Sequence, residues 1–229
     1  SATTSSGVGF VTVYADGSEG VGTITISVGT TIISTETVTF VGAATTYTVA
    51  VGATTFTGSN YQIGANASAL KVTAKDAAGN LVVDGSTVYA FDGTAATATV
   101  LASATTTSGV ATFSLTGVAA GSSVVTFGNA STAATSTVTT TKTIAVTKST
   151  AKTVTLKLDK DSYEPGEKMV LTVTATDADG KGVADGARAL FTADLAPNFA
   201  LSGTATLSGS ASPTLLGGVK TYTIYAPSI

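Results

Sequence analysis

Leu171-Thr172-Val173-Thr174-Ala175-Thr176-Asp177-Ala178-Asp179-Gly180 alternates apolar and hydroxyl side chains for six residues and then breaks. A period of two puts Leu171, Val173 and Ala175 on one face and the three threonines on the other, the pattern of a half-buried strand. The Asp and Gly residues that follow belong to a turn, where Asp hydrogen-bonds its own backbone and Gly tolerates positive φ. The same pattern stands about 101 residues earlier, as Leu70-Lys71-Val72-Thr73-Ala74-Lys75-Asp76-Ala77-Ala78-Gly79. Beyond it, Val82 and Asp84-Gly85 answer Val183 and Asp185-Gly186. A strand, turn and strand that return at a fixed spacing make the chain a string of similar β modules.

A second match supports the period. Gly7 to Val13 (GVGFVTV) lies over Gly109 to Leu115 (GVATFSL) and loosely over Gly218 to Ile224 (GVKTYTI). One late-module strand is thus written three times, so the sequence is expected to start partway through one module and stop partway through another. The expected boundaries are 1–42 for the closing strands of a first module, 43–147 for a complete module and 148–229 for a third lacking its last strand or strands.

Short alternating runs fill these segments. In the first they are Val11 and Val13, then Ile24, Ile26 and Val28, then Val38 and Phe40, parted by Asp16-Gly17 and Gly29. The second holds Tyr47 to Val51 with Phe56, Asn60 to Gly64, the strand from Leu70, Val88 to Phe91, Thr97 to Leu101, Ala111 to Leu115, Val124 to Phe127 and Thr137 to Thr139. A spacing of roughly 8–12 residues between short strands predicts a β-sandwich. A Thr-rich connector, Thr140 to Lys152, is expected to lead into the third module, whose opening strand turns Val154, Leu156 and Leu158 to the core. Glu164-Pro165-Gly166 then supplies a tight turn. No apolar residues recur at helical spacing for three turns, so almost no helix is expected.

The composition narrows the function classes. Of 229 residues 11% are charged, and there is no Cys, His or Trp. No lysine or arginine precedes Lys71, and no charge falls between Asp92 and Lys142. Soluble proteins generally carry more surface charge, because neutral β surfaces and sheet edges associate. This coat of Thr and Ser is therefore expected to be covered by neighbouring protein or by sugar. There is no basic footprint for nucleic acid, no polybasic membrane patch and no apolar span of membrane length within these residues.

The order strand, Tyr163-Glu164-Pro165-Gly166 turn, Val173-x-Ala-x-Asp177-Ala-Asp-Gly180, Val183, Asp185-Gly186 and Gly218-Val-x-Thr-Tyr222 resembles bacterial immunoglobulin-like modules of the invasin or intimin type. The opening Asp161-Ser-Tyr-Glu-Pro-Gly166 is also similar to macroglobulin-type domains. With a low isoelectric point, no Cys, one Met and abundant Thr, Ala and Gly, the whole chain resembles a surface-layer (S-layer) protein of a prokaryote. What the resemblance implies is an all-β chain of tandem Ig-like sandwiches with a period of roughly 100 residues, displayed outside the cell.

Candidate chemistry is sparse. Without His, the commonest general base, the Ser-His-Asp and Cys-His systems and imidazole metal sites are missing from these residues, which speaks against an enzyme. Asp159 with Asp161, and Asp177 with Asp179, place oxygen ligands at alternate positions near turns, as Ca²⁺ sites do; Asp used to shape turns is the favoured alternative, because Ala78 stands where Asp179 does. Bound Ca²⁺ would be expected at module junctions, as a stiffener. Asn66-Ala67-Ser68 and Asn129-Ala130-Ser131 satisfy the N-glycosylation pattern, and Thr135 to Thr141 could carry O-linked sugar. Arg188 and the aromatics Tyr14, Phe91, Phe113, Phe191 and Tyr222 are read as packing residues rather than a binding platform.

The function expected is therefore a structural one: a self-assembling S-layer subunit whose partners are copies of itself and envelope glycan, with no cofactor required. The alternative is the stalk of a cell-surface adhesin or fibre. A third class, accessory modules of a secreted polysaccharide hydrolase, would need a catalytic domain outside these residues.

Overall fold

The computed structural model describes residues 6, 8, 10–52, 60–191 and 212–227. Sixteen strands and one short 3₁₀ turn account for the regular structure among them, and the chain is an all-β array of Ig-like character. Phe56, read with Tyr47 to Val51 as part of the opening of the complete module, lies outside the described residues.

β1 (Gly20–Val28) and β2 (Thr31–Phe40) form an antiparallel hairpin turned at Gly29, whose φ is 60°. Val11 and Val13 precede it without forming a strand. The next nine strands make one curled sheet: β3 (Thr46–Val51), β4 (Asn60–Gln62), β5 (Gly64–Lys75), β6 (Thr87–Asp92), β7 (Ala98–Val100), β8 (Ser103–Thr107), β9 (Val110–Gly117), β10 (Gly121–Gly128) and β11 (Thr139–Thr147). Its order is β3-β5-β9-β8-β6-β10-β11-β4, with β7 also on β9. Strand β8 carries the sheet around the corner, so that the β3-β5-β9 layer faces the β6-β10-β11 layer. Between them lie Leu70, Val72, Phe113 and Leu115 from one side and Val88, Val125, Phe127, Ile144 and Val146 from the other.

The third segment contains β12 (Thr153–Leu158), β13 (Lys168–Thr176), β14 (Gly186–Ala187), β15 (Thr214–Leu215) and β16 (Val219–Tyr225). Its sheet β12-β13-β16 repeats β3-β5-β9 residue for residue. Thr46 pairs with Lys75 and Val49 with Val72, while Thr153 pairs with Thr176 and Leu156 with Val173. On the other edge Val72 pairs with Ala111, and Val173 with Lys220. The turns agree too: Ser108 and Gly109 have φ of 50° and 70°, Gly217 and Gly218 59° and 79°, the double positive φ of a tight I′ hairpin turn. Ser6, at the matching place in the first copy, has φ of 56°.

Several expectations are corrected. The Thr140 to Lys152 connector is mostly strand, because Ile144 and Val146 alternate inward while Thr141 and Thr143 face out, and β-branched Thr suits a pleated ladder. Strand β8 was not expected, since its inward residues are Ala104 and Thr106 rather than large apolar ones. Among the aromatics, Phe113 is fully buried and Tyr222 packs on the Met169, Leu171 and Ile224 cluster. Phe91 instead lies on the outer face of β6, because the inward positions are Val88 and Ala90. Tyr14 is 84% exposed, in a stretch that no described strand covers. In β12, Val154 and Leu158 are partly buried as expected, but Leu156 stays 47% exposed. The Glu164-Pro165-Gly166 turn is present, with Glu167 N–H donating to Glu164 C=O at 3.0 Å and Gly166 at φ 74°.

Candidate functional site

The polar side chains that organise this molecule gather where one module meets the next. Asp76 and Asp177 each follow the central strand of their sheet and are 2% exposed. Oδ1 of Asp177 accepts the N–H groups of Asp179 (2.9 Å) and Lys181 (3.0 Å), and the backbone closes the turn through Asp177 N–H to Lys181 C=O at 2.7 Å. Asp76 does the same with Asn80: its Oδ1 accepts the N–H at 2.8 Å and its own N–H donates to the C=O at 2.9 Å. Burial pushes both carboxyls up, but the N–H donations outweigh it and hold each below its ordinary value.

The second carboxylate oxygen of each reaches the connector from the preceding module. Oδ2 of Asp76 accepts the N–H of Gly42 at 3.1 Å, and Oδ2 of Asp177 that of Lys148 at 3.2 Å. Lys148 also pairs with Asp179 at 2.8 Å, an exposed ion pair worth little by itself. The joint between the second and third modules has further bonds. Ala184 N–H donates to Lys148 C=O (3.1 Å), Asp185 N–H to Asn60 C=O (2.9 Å) and Asn60 Nδ2 to Gly182 C=O (3.2 Å). Ala184 is fully buried there, while its counterpart Val83 is 59% exposed. Next to Asn60, the Tyr61 phenol donates to Ala69 C=O at 2.9 Å, and burial with the nearby Asp185 charge pushes its pKa up to about 12.

The four acidic candidates fall into two separated pairs. Asp159 Oδ1 accepts Val170 N–H (2.7 Å) and the Tyr163 hydroxyl (2.8 Å), near the start of β13, and Asp161 is exposed beside it. Asp177 and Asp179 sit past its other end. The seven residue steps from Val170 to Asp177 span about 23 Å at strand rise, so the four cannot share one cation. Among the described residues no three acidic side chains converge as a metal site. Arg188 donates to the carbonyls of Ala187 (3.1 Å) and Asp185 (3.0 Å), so it braces backbone.

The two glycosylation candidates differ in a way the sequence does not disclose. Asn66 is 4% exposed and its Nδ2 donates to two carbonyls, those of Gln62 and Gly64, both at 2.9 Å. A sugar on that nitrogen would take one of those hydrogens and the space beside it. Asn129 is exposed, and its Nδ2 makes one donation, to Thr137 Oγ1 at 2.9 Å, while Oδ1 accepts Thr137 and Val138 N–H. One hydrogen of its amide is thus left for substitution.

Sequence reasoning missed Asn60, Lys148 and Gly42. All three act through backbone N–H or C=O groups, which carry no side-chain signal.

No protein-family model and no curated protein matches the sequence. Solved structures similar in outline include the Escherichia coli adhesin FdeC, at 22% identity and a TM-score of 0.41 over 92% of this chain and 66% of that one. Domains 4–9 of the surface-layer protein SbsC give 21% identity and 0.35, covering 92% of this chain and 35% of theirs. The D0–D1 domain of intimin gives 16% and 0.35, with 82% and 86% covered. The chain thus spans just under two thirds of the first of these and about a third of the second. The sandwich assignment itself rests on the strand pairing and register described above.

Proposed function

We propose that the chain is a structural protein of a prokaryotic cell surface, an S-layer subunit that assembles laterally with copies of itself. The observation that carries this reading is where the charge-free residues lie. Thr105 and Thr107 on β8 and Thr112, Ser114 and Thr116 on β9 stand exposed side by side, and Thr139, Thr141 and Thr143 line the outside of β11. Apart from Lys71, which stands opposite Thr112 on the neighbouring strand, these faces present hydroxyls in place of the charges that keep proteins apart. Weak contacts repeated over a lattice sum to high avidity. Glycan at Asn129, and Ca²⁺ at the joints, belong to the same proposal.

Negative-stain imaging and light scattering of the chain, with and without Ca²⁺, test it. Sheets or lateral arrays are expected, and T112K/T116K should disperse them without unfolding the protein. Monodisperse particles at high concentration would sink the lattice. An adhesin stalk is the second reading, favoured by the hydrogen-bonded joint around Lys148 and Asp177, since a stalk must hold its modules in line.

A further inference from the structure

We infer that the first Asp of the repeated Asp-Ala-x-Gly turn is the coupling residue between consecutive modules. One carboxylate oxygen builds its own turn and the other fixes the incoming connector, so that a single buried side chain sets the geometry of each joint. The observation behind this is the division of labour. Oδ1 of Asp76 and of Asp177 accepts from the backbone of the residue four ahead (Asn80, Lys181), and Oδ2 accepts from Gly42 and Lys148 respectively, that of Asp76 also taking a longer bond from Asn80 Nδ2 at 3.4 Å. Turn formation alone needs only the first oxygen; an Asx turn is closed by one acceptor. The second oxygen is spent on a backbone N–H at a sequence distance of 34 residues in one case and 29 in the other. Just after each such N–H a backbone bond continues the docking: Thr45 N–H to Lys75 C=O at 2.8 Å, and Lys152 N–H to Thr176 C=O at 2.7 Å.

The connectors themselves share little sequence, Val41-Gly42-Ala43-Ala44 against Thr147-Lys148-Ser149-Thr150. The recognition therefore depends on the backbone, and any connector able to present an N–H can be held. This lets the array vary its linkers while keeping its angles. The coupling acts equally in a lattice subunit and in a stalk, and does not depend on the proposal above.

Asp177→Asn separates the two roles. The amide keeps an acceptor oxygen for Asp179 and Lys181 and turns an NH₂ group toward the Lys148 N–H, where two donors face one another. The chain has no cysteine, so Thr112→Cys and Thr221→Cys, both exposed and in different modules, take spin labels cleanly. Pulsed dipolar spectroscopy then reads the distance distribution across the joint. A distribution roughly twofold wider than in the parent is expected for Asp177→Asn. Lys148→Pro, which deletes the donated N–H and leaves Asp177 in place, should act alike and covers the case in which Asp177→Asn fails to fold. Asp179→Asn, which removes only the surface ion pair, should leave the width unchanged. Parent-like widths in both of the first two variants would overturn the inference, as would an equal broadening in Asp179→Asn.

Discussion

Phe113 and Phe127 meet edge to face across the sandwich, with ring centroids 5.0 Å apart and planes at 63°. They come from the two layers, β9 and β10, and both are fully buried. The pair lies in the buried cluster that joins the two layers of the curled nine-stranded sheet, and aromatic pairs in this arrangement add to the area they bury.

Phe113→Ala should accordingly cost about 3–5 kcal/mol, since neither layer can collapse into the space of a phenyl ring. Phe127→Leu, which keeps most of the volume, should cost less than half of that. Urea unfolding followed by tyrosine fluorescence gives both values.

The hairpin before β16 makes a contrast between adjacent glycines. A Cβ on Gly217 would meet nothing within 4 Å, so Gly217→Ala pays only the left-handed backbone, about 1–2 kcal/mol. A Cβ on Gly218 would sit 2.5 Å from Ala175 C=O and 2.6 Å from Gly182 Cα, backbone that cannot yield. Gly218→Ala should cost clearly more, and β16 should lose amide protection in hydrogen exchange.

Acid should weaken the joints. Asp177 is depressed in the folded chain: burial opposes its charge, but the N–H groups of Lys181, Asp179 and Lys148, with the Lys148 ammonium, prevail. Lys148 on the connector, and Asp179 and Lys181 on its own turn, are the charged groups around it. A depressed carboxyl contributes stability that is present above its unfolded value of about 3.9 and lost as pH falls through the folded one. Denaturant midpoints should therefore fall as pH drops from about 4 toward 2, and Asp177→Asn should flatten that slope. A slope unchanged by the substitution would assign the acid sensitivity elsewhere.

The amide of Asn66 supports a different prediction. Asn66→Asp swaps a double donor for an acceptor facing the Gln62 and Gly64 carbonyls, and should destabilise by about 1–3 kcal/mol. In protein from the source cells, peptide mass spectrometry should find sugar on Asn129 and none on Asn66. Sugar on Asn66 would mean that modification precedes folding.

Much of the fold is legible in the sequence because alternation and repetition report the same strands twice. Val173 and Ala175 announce a buried face, and Val72 and Ala74 at the matching place confirm it. Strand β8 escaped because Ser103 to Thr107 holds only small and hydroxyl residues, which suit a strand and a loop equally. Strand β11 escaped for a related reason: its threonines obscure the Ile144 and Val146 that anchor it. The joint was half legible. The Asp of each turn could be seen, but its second oxygen binds a backbone N–H brought from 29 or 34 residues away, and no side chain marks that partner. Likewise, the tripeptides at Asn66 and Asn129 read the same, and only the folded environment tells them apart.

The shared register of β3-β5 and β12-β13 also bears on how the chain avoids tangling. Neighbouring modules with interchangeable ladders can trade strands during folding, a familiar failure of repeat proteins. Here Ala50 stands opposite Lys71, whereas Lys157, in the matching place on β12, stands opposite Thr172. Were β12 to dock on β5 by mistake, Lys157 would land against Lys71, and like charges directly opposed on one face disfavour the pairing. A single lysine thus acts as an address label, letting two near-identical templates lie side by side on one chain and each collect its own edge strand.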